Sequence, residues 1–220
     1  MKRLSIRDKK FIEYPESEEV TFLEGADYNA VIVNAAPIAR AYYKEDYDPA
    51  KLAVPTCWSS NTQTPSAEVP AIQRQSTRCM DCKFNIRGSG RGSSRACRFF
   101  QYLAIAPEDR WEDIYQLRLP ATSIFGEVRD GHMPMVAYAR FLQEMDTPAI
   151  AVLTKMYFDR DSETPKLFFK PSRPLGVEEL SVVSGIIDDP ETLEAITLTN
   201  YTFLEGLTKS PFEVTDGFTI

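Results

Sequence analysis

Apolar and polar positions recur with recognisable periods along most of this 220-residue chain. Residues 28–39 hold the β-branched run Val31, Ile32 and Val33 and predict a strand. Arg98–Ala106, rich in aromatic and β-branched residues, predicts a second. Ile114–Leu119 alternates cleanly, with Ile114, Gln116 and Arg118 against Tyr115, Leu117 and Leu119, which is the period of a strand with two unlike faces. Between Pro134 and Met145 the apolar residues Val136, Tyr138, Phe141, Leu142 and Met145 fall at helical spacing. Ala149–Asp159 and Lys166–Lys170 read as strands joined through the polar turn Arg160–Pro165, a hairpin. Val177–Ile187 and Glu191–Leu198 read as helices, the second started by Asp189, Pro190 and Glu191. Residues 1–24 are charged and mixed, an arm or an early strand, and a turn is expected at Tyr47, Asp48 and Pro49.

The stretch 55–98 breaks these patterns. Pro55, Pro65 and Pro70 with many Ser and Thr residues make 55–77 loop-like, and Gly88 to Ser94 has too few apolar residues to order itself. All four cysteines of the chain lie here, as Cys57-x₂₁-Cys79-x₂-Cys82-x₁₄-Cys97. A C-x₂-C knuckle presents two thiolates to one metal, and a cysteine from either flank completes a tetrahedral shell. A closed Cys₄ shell leaves no position for water or substrate, so the predicted zinc is structural. Disulfides, a redox pair, an iron–sulfur cluster and four unrelated thiols are the competing readings. The N-terminus has no apolar run of a secretory signal, which disfavours disulfides. The knuckle follows a Pro/Ser/Thr-rich loop, not a βαβ strand, which disfavours the redox pair. Zinc is the expectation.

The economical assembly is mainly β, of the α+β class: five or six strands in a small barrel of the oligonucleotide-binding type, with C-terminal helices. Its parts are an N-terminal arm (1–24), the barrel (25–175) with a zinc-bound insertion at 55–98, and a helical segment with a tail (176–220).

Charge is unevenly distributed. The net formal charge is −7, which alone argues against a nucleic-acid partner. Yet Arg74, Arg78, Lys83, Arg87, Arg91, Arg95 and Arg98 face a single acid, Asp81, across that segment. A basic island on an acidic body is a localised anion-binding surface. Neutralising the zinc thiolates is the other use for these bases. No apolar stretch is long enough for a membrane helix, and the expectation is a soluble, cytoplasmic protein.

Binding single strands takes a cationic track and rings on which bases stack. Arg74, Arg78, Lys83, Arg87, Arg91 and Arg95 are the expected phosphate contacts. The expected stacking rings are Trp58, Phe84 and one of Tyr42 or Tyr43. Phe99, Phe100 and Tyr102 lie in an apolar strand and read as core. Catalysis finds little support: His132 is the only histidine and reads as a loop residue, no nucleophile–base pair or carboxylate cluster occurs, and the glycines at 88–92 fit no phosphate-binding motif. A non-enzymatic protein is expected.

Several motifs, read in order, resemble a family of tailed-phage single-stranded DNA-binding proteins. They are Arg40-Ala41-Tyr42-Tyr43, Pro55-Thr56-Cys57-Trp58-Ser59, Cys79-x₂-Cys82-x₂-Asn85-x₂-Gly88-Ser89, Arg95-Ala96-Cys97-Arg98, Leu119-Pro120-Ala121-Thr122-Ser123 and Lys166-Leu167-Phe168-Phe169-Lys170-Pro171. The resemblance runs from about residue 28 to about 175 and implies an oligonucleotide-binding barrel with structural zinc. It also implies a role in phage DNA replication or recombination inside the infected cell, with replication proteins as partners. Two departures stand out. Arg87 occupies a position where the family carries an aromatic residue, and the end from Phe212 to Ile220 holds only Glu213 and Asp216 where single-strand binders carry a strongly acidic tail. The alternative is a zinc-containing interaction factor that binds a polymerase or another replication or transcription protein.

Overall fold

The structure, a computed structural model, describes residues 1–16, 21–23, 27–44 and 54–198. Its strands are Lys2–Arg7 (β1), Lys10–Tyr14 (β2), Thr21–Phe22 (β3), Asp27–Ala35 (β4), Ala39–Tyr42 (β5), Cys57–Ser59 (β6), Cys97–Pro107 (β7), Tyr115–Pro120 (β8), Val152–Phe158 (β9) and Leu167–Pro174 (β10). The helices are Ala121–Ile124 (α1), Met135–Glu144 (α2), Val177–Gly185 (α3) and Pro190–Ile196 (α4). The chain divides into one unit of Met1–Pro37 with Phe100–Thr197 and another holding Ile38–Phe99.

In the first unit the strand order is β10-β9-β4-β7-β8-β1-β2-β3, antiparallel except for the parallel pair β1–β8. The sheet has more strands than the five or six expected. Residues 1–24 contribute the excess as β1, β2 and β3; β1 and β2 are short, carry charge at Lys2, Arg3, Arg7, Lys10 and Glu13, and bury only Leu4, Phe11, Ile12 and Glu13. Asp8 and Lys9, both with positive φ, make the two-residue turn that suits a right-twisted hairpin. The expected turn at 47–49 lies outside the described residues.

β4 and β7 are apolar on both faces, and both faces are covered. On one face Phe11 of β2 meets Tyr28 of β4 and Phe158 of β9, with ring centroids 5.2 and 4.6 Å apart. These strands are far apart in the sheet order, so their contact shows that the sheet curls. Beside them Glu13, buried, accepts hydrogen bonds from the Tyr28 hydroxyl (2.7 Å) and the Arg110 guanidinium (2.5 Å). Burial and the neighbouring carboxylate push the Tyr28 phenol well above its ordinary value. Helix α2 belongs to this same core: the Tyr138 hydroxyl shares a 2.7 Å hydrogen bond with Thr154 of β9. Its buried positions are Met135, Tyr138 and Leu142, whereas Val136 and Met145 of the expected stripe are exposed. The packed face is therefore offset from the one the periodicity suggested.

The other face carries Val31, Val33, Ala104, Ala106 and Leu153, packed with Val183 of α3 and Ala195 of α4. Pro190 opens α4, where a missing N–H costs nothing, and Gln116 of β8 donates to the Ala195 carbonyl at 2.8 Å. Glu179, in the first turn of α3, takes a two-pronged contact from Arg173 (2.7 and 2.8 Å) and caps the Gly176 N–H (2.7 Å). Those donors hold the Glu179 carboxyl at about 2, below its ordinary 4.5. A depressed carboxylate adds stability above its unfolded value that fades as pH falls through the folded one. The anchoring of α3 is thus expected to weaken between about pH 4.5 and pH 2. NMR titration should follow Glu179 with a midpoint near 2, and a midpoint near its ordinary value would exclude the contact.

The architecture is mixed α+β, a curled sheet with C-terminal helices. Among the described residues no helix is long and apolar enough to cross a membrane.

Candidate metal centre and basic surface

The unit Ile38–Phe99 is built on the short strands β5 and β6, and β5 also pairs with β7. β5 and β6 pair antiparallel, with Ala41 opposite Trp58 and Tyr42 opposite Cys57. The knuckle follows as two tight 3₁₀ turns, Cys79–Asp81 and Lys83–Asn85. The Cys79 N–H is tied to the Gln63 carbonyl (2.7 Å), and the Asn85 side chain donates to the Cys79 carbonyl (3.0 Å), which fixes the backbone on both sides of the C-x₂-C turn. Residues 88–94 supply their own order as well. The N–H groups of Gly88 and Gly90 both donate to the Ser94 carbonyl at 3.0 Å, and the Ser89 hydroxyl donates to the carbonyls of Phe84 and Ile86. A Cβ on Gly90 would meet backbone atoms of Arg95 and Ala96 at 2.9 and 3.0 Å, so this turn requires glycine.

These elements bring the four thiols to one place. Cys57, Cys79, Cys82 and Cys97 line a single cavity of about 20 Å³, together with Arg40, Tyr42 and Trp58. None is in a disulfide. Burial pushes the Cys97 thiol up to about 12, opposed by Arg40, and raises the Cys57 thiol. The other cysteines raise both further, because like charges within reach of one another disfavour ionisation. A divalent cation would reverse that balance and hold the thiols as thiolates. Among the described residues no set of three or more His, Cys, Asp or Glu side chains is drawn together tightly enough to hold an ion.

The donor set nevertheless fits zinc: four soft ligands and no carboxylate line a space the size of one small occupant. A second fit is the Arg40 guanidinium, buried in the same wall with Nε and Nη1 lacking any partner. A dianionic tetrathiolate is an acceptor of the kind that such a group lacks.

The predicted phosphate contacts fall into two groups. Arg74 is committed to structure, its Nε and Nη2 donating to the carbonyls of Val69 and Ala67 at 3.0 Å. Arg78 pairs with Asp81 at 3.5 Å. Arg95 is half-buried, with Nε lacking a partner. Lys83 is exposed, 5.1 Å from the Phe84 ring centroid. Arg87 and Arg91 are exposed, and their guanidinium groups make no hydrogen bond or ion pair with the described residues. The rings differ more from expectation. Trp58 is 5% exposed and lines the cysteine cavity, so it packs against the thiols and offers no face to a base. Tyr42 and Phe84 stack on each other, centroids 3.9 Å apart and 15° from parallel, so one face of each is taken. Tyr43 is half-buried.

Two features escaped the pattern of the sequence. Arg40 shows only as one base beside two tyrosines, and nothing local marks it as buried. In the first unit, register places Phe168 opposite Tyr157 and Lys170 opposite Lys155. There the exposed His132 contacts the Tyr157 hydroxyl through Nδ1 at 2.9 Å, and Lys170 lies 5.5 Å from the Tyr157 ring. The spacing of β9 and β10 hints at that group, but its members come from three segments. No family model, curated protein or solved structure matches the chain.

Proposed function

We propose that this protein binds single-stranded DNA without catalysis, as a phage-type single-strand binder carrying a structural zinc on Cys57, Cys79, Cys82 and Cys97. The observation that supports this best is the exposed, uncommitted charge of Arg87 and Arg91, in the segment between the third and fourth cysteines. With Lys83 they form the cationic track, and Phe84 stacked on Tyr42 offers the ring surface that Trp58 does not. The curl of the sheet supports a barrel of the oligonucleotide-binding type in the first unit, and the acidic remainder of the chain limits non-specific adhesion.

Fluorescence anisotropy with a labelled single strand of about 30 nucleotides, competed by duplex of the same sequence, tests the proposal. Tight binding that weakens with salt is expected. Reversing Arg87 and Arg91 to Glu should remove two phosphate contacts and flatten the logarithmic salt slope by roughly 1.4. Zinc-loaded protein that binds no strand would overturn it.

A second reading has its own observation. Ile72, Met80 and Ile86 are 94%, 68% and 62% exposed in the same unit, a costly display that favours contact with a replication or transcription protein. Under that reading the double reversal leaves an already absent DNA affinity unchanged.

A further inference from the structure

We infer that Arg40 is the buried counter-charge of the thiolate centre, a positioning residue that makes metal binding favourable by hydrogen-bonding to the thiolate sulfurs. This rests on the zinc reading above and extends it to a residue outside the ligand set.

Arg40 is only 6% exposed, and its Nε and Nη1 are buried without a partner. Guanidinium groups remain charged inside proteins, so such a group must find an anion or stand as an uncompensated charge. Among the described residues no carboxylate pairs with it. Its ring partner, Phe99 at 4.0 Å from the guanidinium carbon, offers a π face and no acceptor. What the surroundings do offer is sulfur. Arg40 lines the same cavity as all four cysteines.

Placement follows from the fold. Arg40 sits in β5 opposite Ser59, and its neighbour Tyr42 sits opposite Cys57, so the ladder that delivers the first cysteine also delivers the guanidinium. Phe99 follows two residues after Cys97 and holds the guanidinium plane from the other end of the unit. A buried guanidinium without a hydrogen-bond partner and four thiols in the same cavity become favourable together once a metal makes the cluster a dianion. Hydrogen-bonding partners behind metal ligands of this sort typically carry 10–100-fold of affinity.

The test compares full-length protein with Arg40→Met and Arg40→Lys, each loaded with Zn²⁺ and with Co²⁺, and each also stripped of metal. Zinc affinity is read by competition with a chromophoric chelator. Thiolate-to-cobalt absorption reports the ligand set. The methionine variant should keep the cobalt spectrum at saturation but bind zinc about 10–100-fold more weakly. It should melt lower than wild type when loaded and no lower when stripped, because the same charge is harmful without thiolates and helpful with them. Lysine, which keeps the charge but lacks the planar fork, should recover part of the affinity. Equal zinc affinity in Arg40→Met and wild type would overturn the inference, as would equal destabilisation with and without metal. If Arg40→Met does not fold, Arg40→Gln enters the same comparison with the same expected loss. Wild-type protein that takes up neither Zn²⁺ nor Co²⁺ would instead overturn the zinc reading on which the inference rests.

Discussion

Under the zinc reading proposed above, stripping the metal from the full-length protein is expected to unfold the Ile38–Phe99 unit and leave the large sheet standing. The reason is how little apolar material that unit buries among its described residues: Ala39, Ala41, Pro55, Trp58 and Val69, besides the cysteines Cys79 and Cys82. So small a core cannot offset the entropy of ordering the segment, and small domains in this position rely on a staple. Structural zinc supplies about 10–16 kcal/mol in small zinc modules, more than the whole stability of many domains. Cys79→Ser should act like the chelator, since three ligands leave an open position. The check is metal content together with limited proteolysis. Cleavage should become rapid within residues 54–98 while a fragment spanning Phe100–Thr197 persists with Met1–Pro37. Unchanged protease resistance after complete metal removal would show that the hydrogen bonds around Ser89 and Ser94 hold the unit alone.

Phe11→Ala should be the most damaging single change in the first unit, lowering its stability by about 3–5 kcal/mol. Phe11 is fully buried and joins strands distant in the sheet order, meeting Tyr28 and Phe158, so its removal opens a cavity where the curl is held. The neighbouring network adds to the effect, because Glu13 is kept dry beside that ring while bonded to Tyr28 and Arg110. Urea denaturation followed by far-ultraviolet circular dichroism measures the loss. Phe11→Leu should cost less, since most of the volume remains. A loss under about 1 kcal/mol for the alanine variant would mean that the site collapses around the gap and that the curl is held elsewhere.

How far the sequence exposed this architecture depends on whether the causes were local. β4, β7, β8, α3 and α4 were legible because their apolar residues repeat over enough positions to outweigh accidental patterns. Residues 2–14 were not, because β1 and β2 are short, β1 buries only Leu4, and the parallel pairing of β1 with β8 places them in the sheet. In α2 the period was right and the face was offset, since what chooses the buried stripe is Thr154 and its surroundings on β9. Spacing alone brought the four cysteines together as candidates, and the fold seats them in one cavity. The stacking rings were harder. Composition shows that Trp58 and Phe84 lie beside cysteines, but only tertiary packing buries the first and occupies a face of the second.

The boundary between the two units has a topological consequence. β4 and β7 are direct antiparallel neighbours, Ala35 opposite Leu103, and the Ala36 N–H still donates to the Tyr102 carbonyl at 2.9 Å. Along the β4–β7 pair, the segment from Ile38 to Phe99 is therefore one long connection, whose strand β5 pairs with β7 in turn. Loop-closure entropy grows only logarithmically, so a connection of this length costs roughly 2 kcal/mol more than a four-residue turn. The pairing register is fixed by Val31, Ile32, Ile105 and Ala106, none of which belongs to the loop. A lineage could lengthen or shorten the cysteine-bearing segment while the β4–β7 pairing kept its register, and an engineer could graft another module at the same two residues.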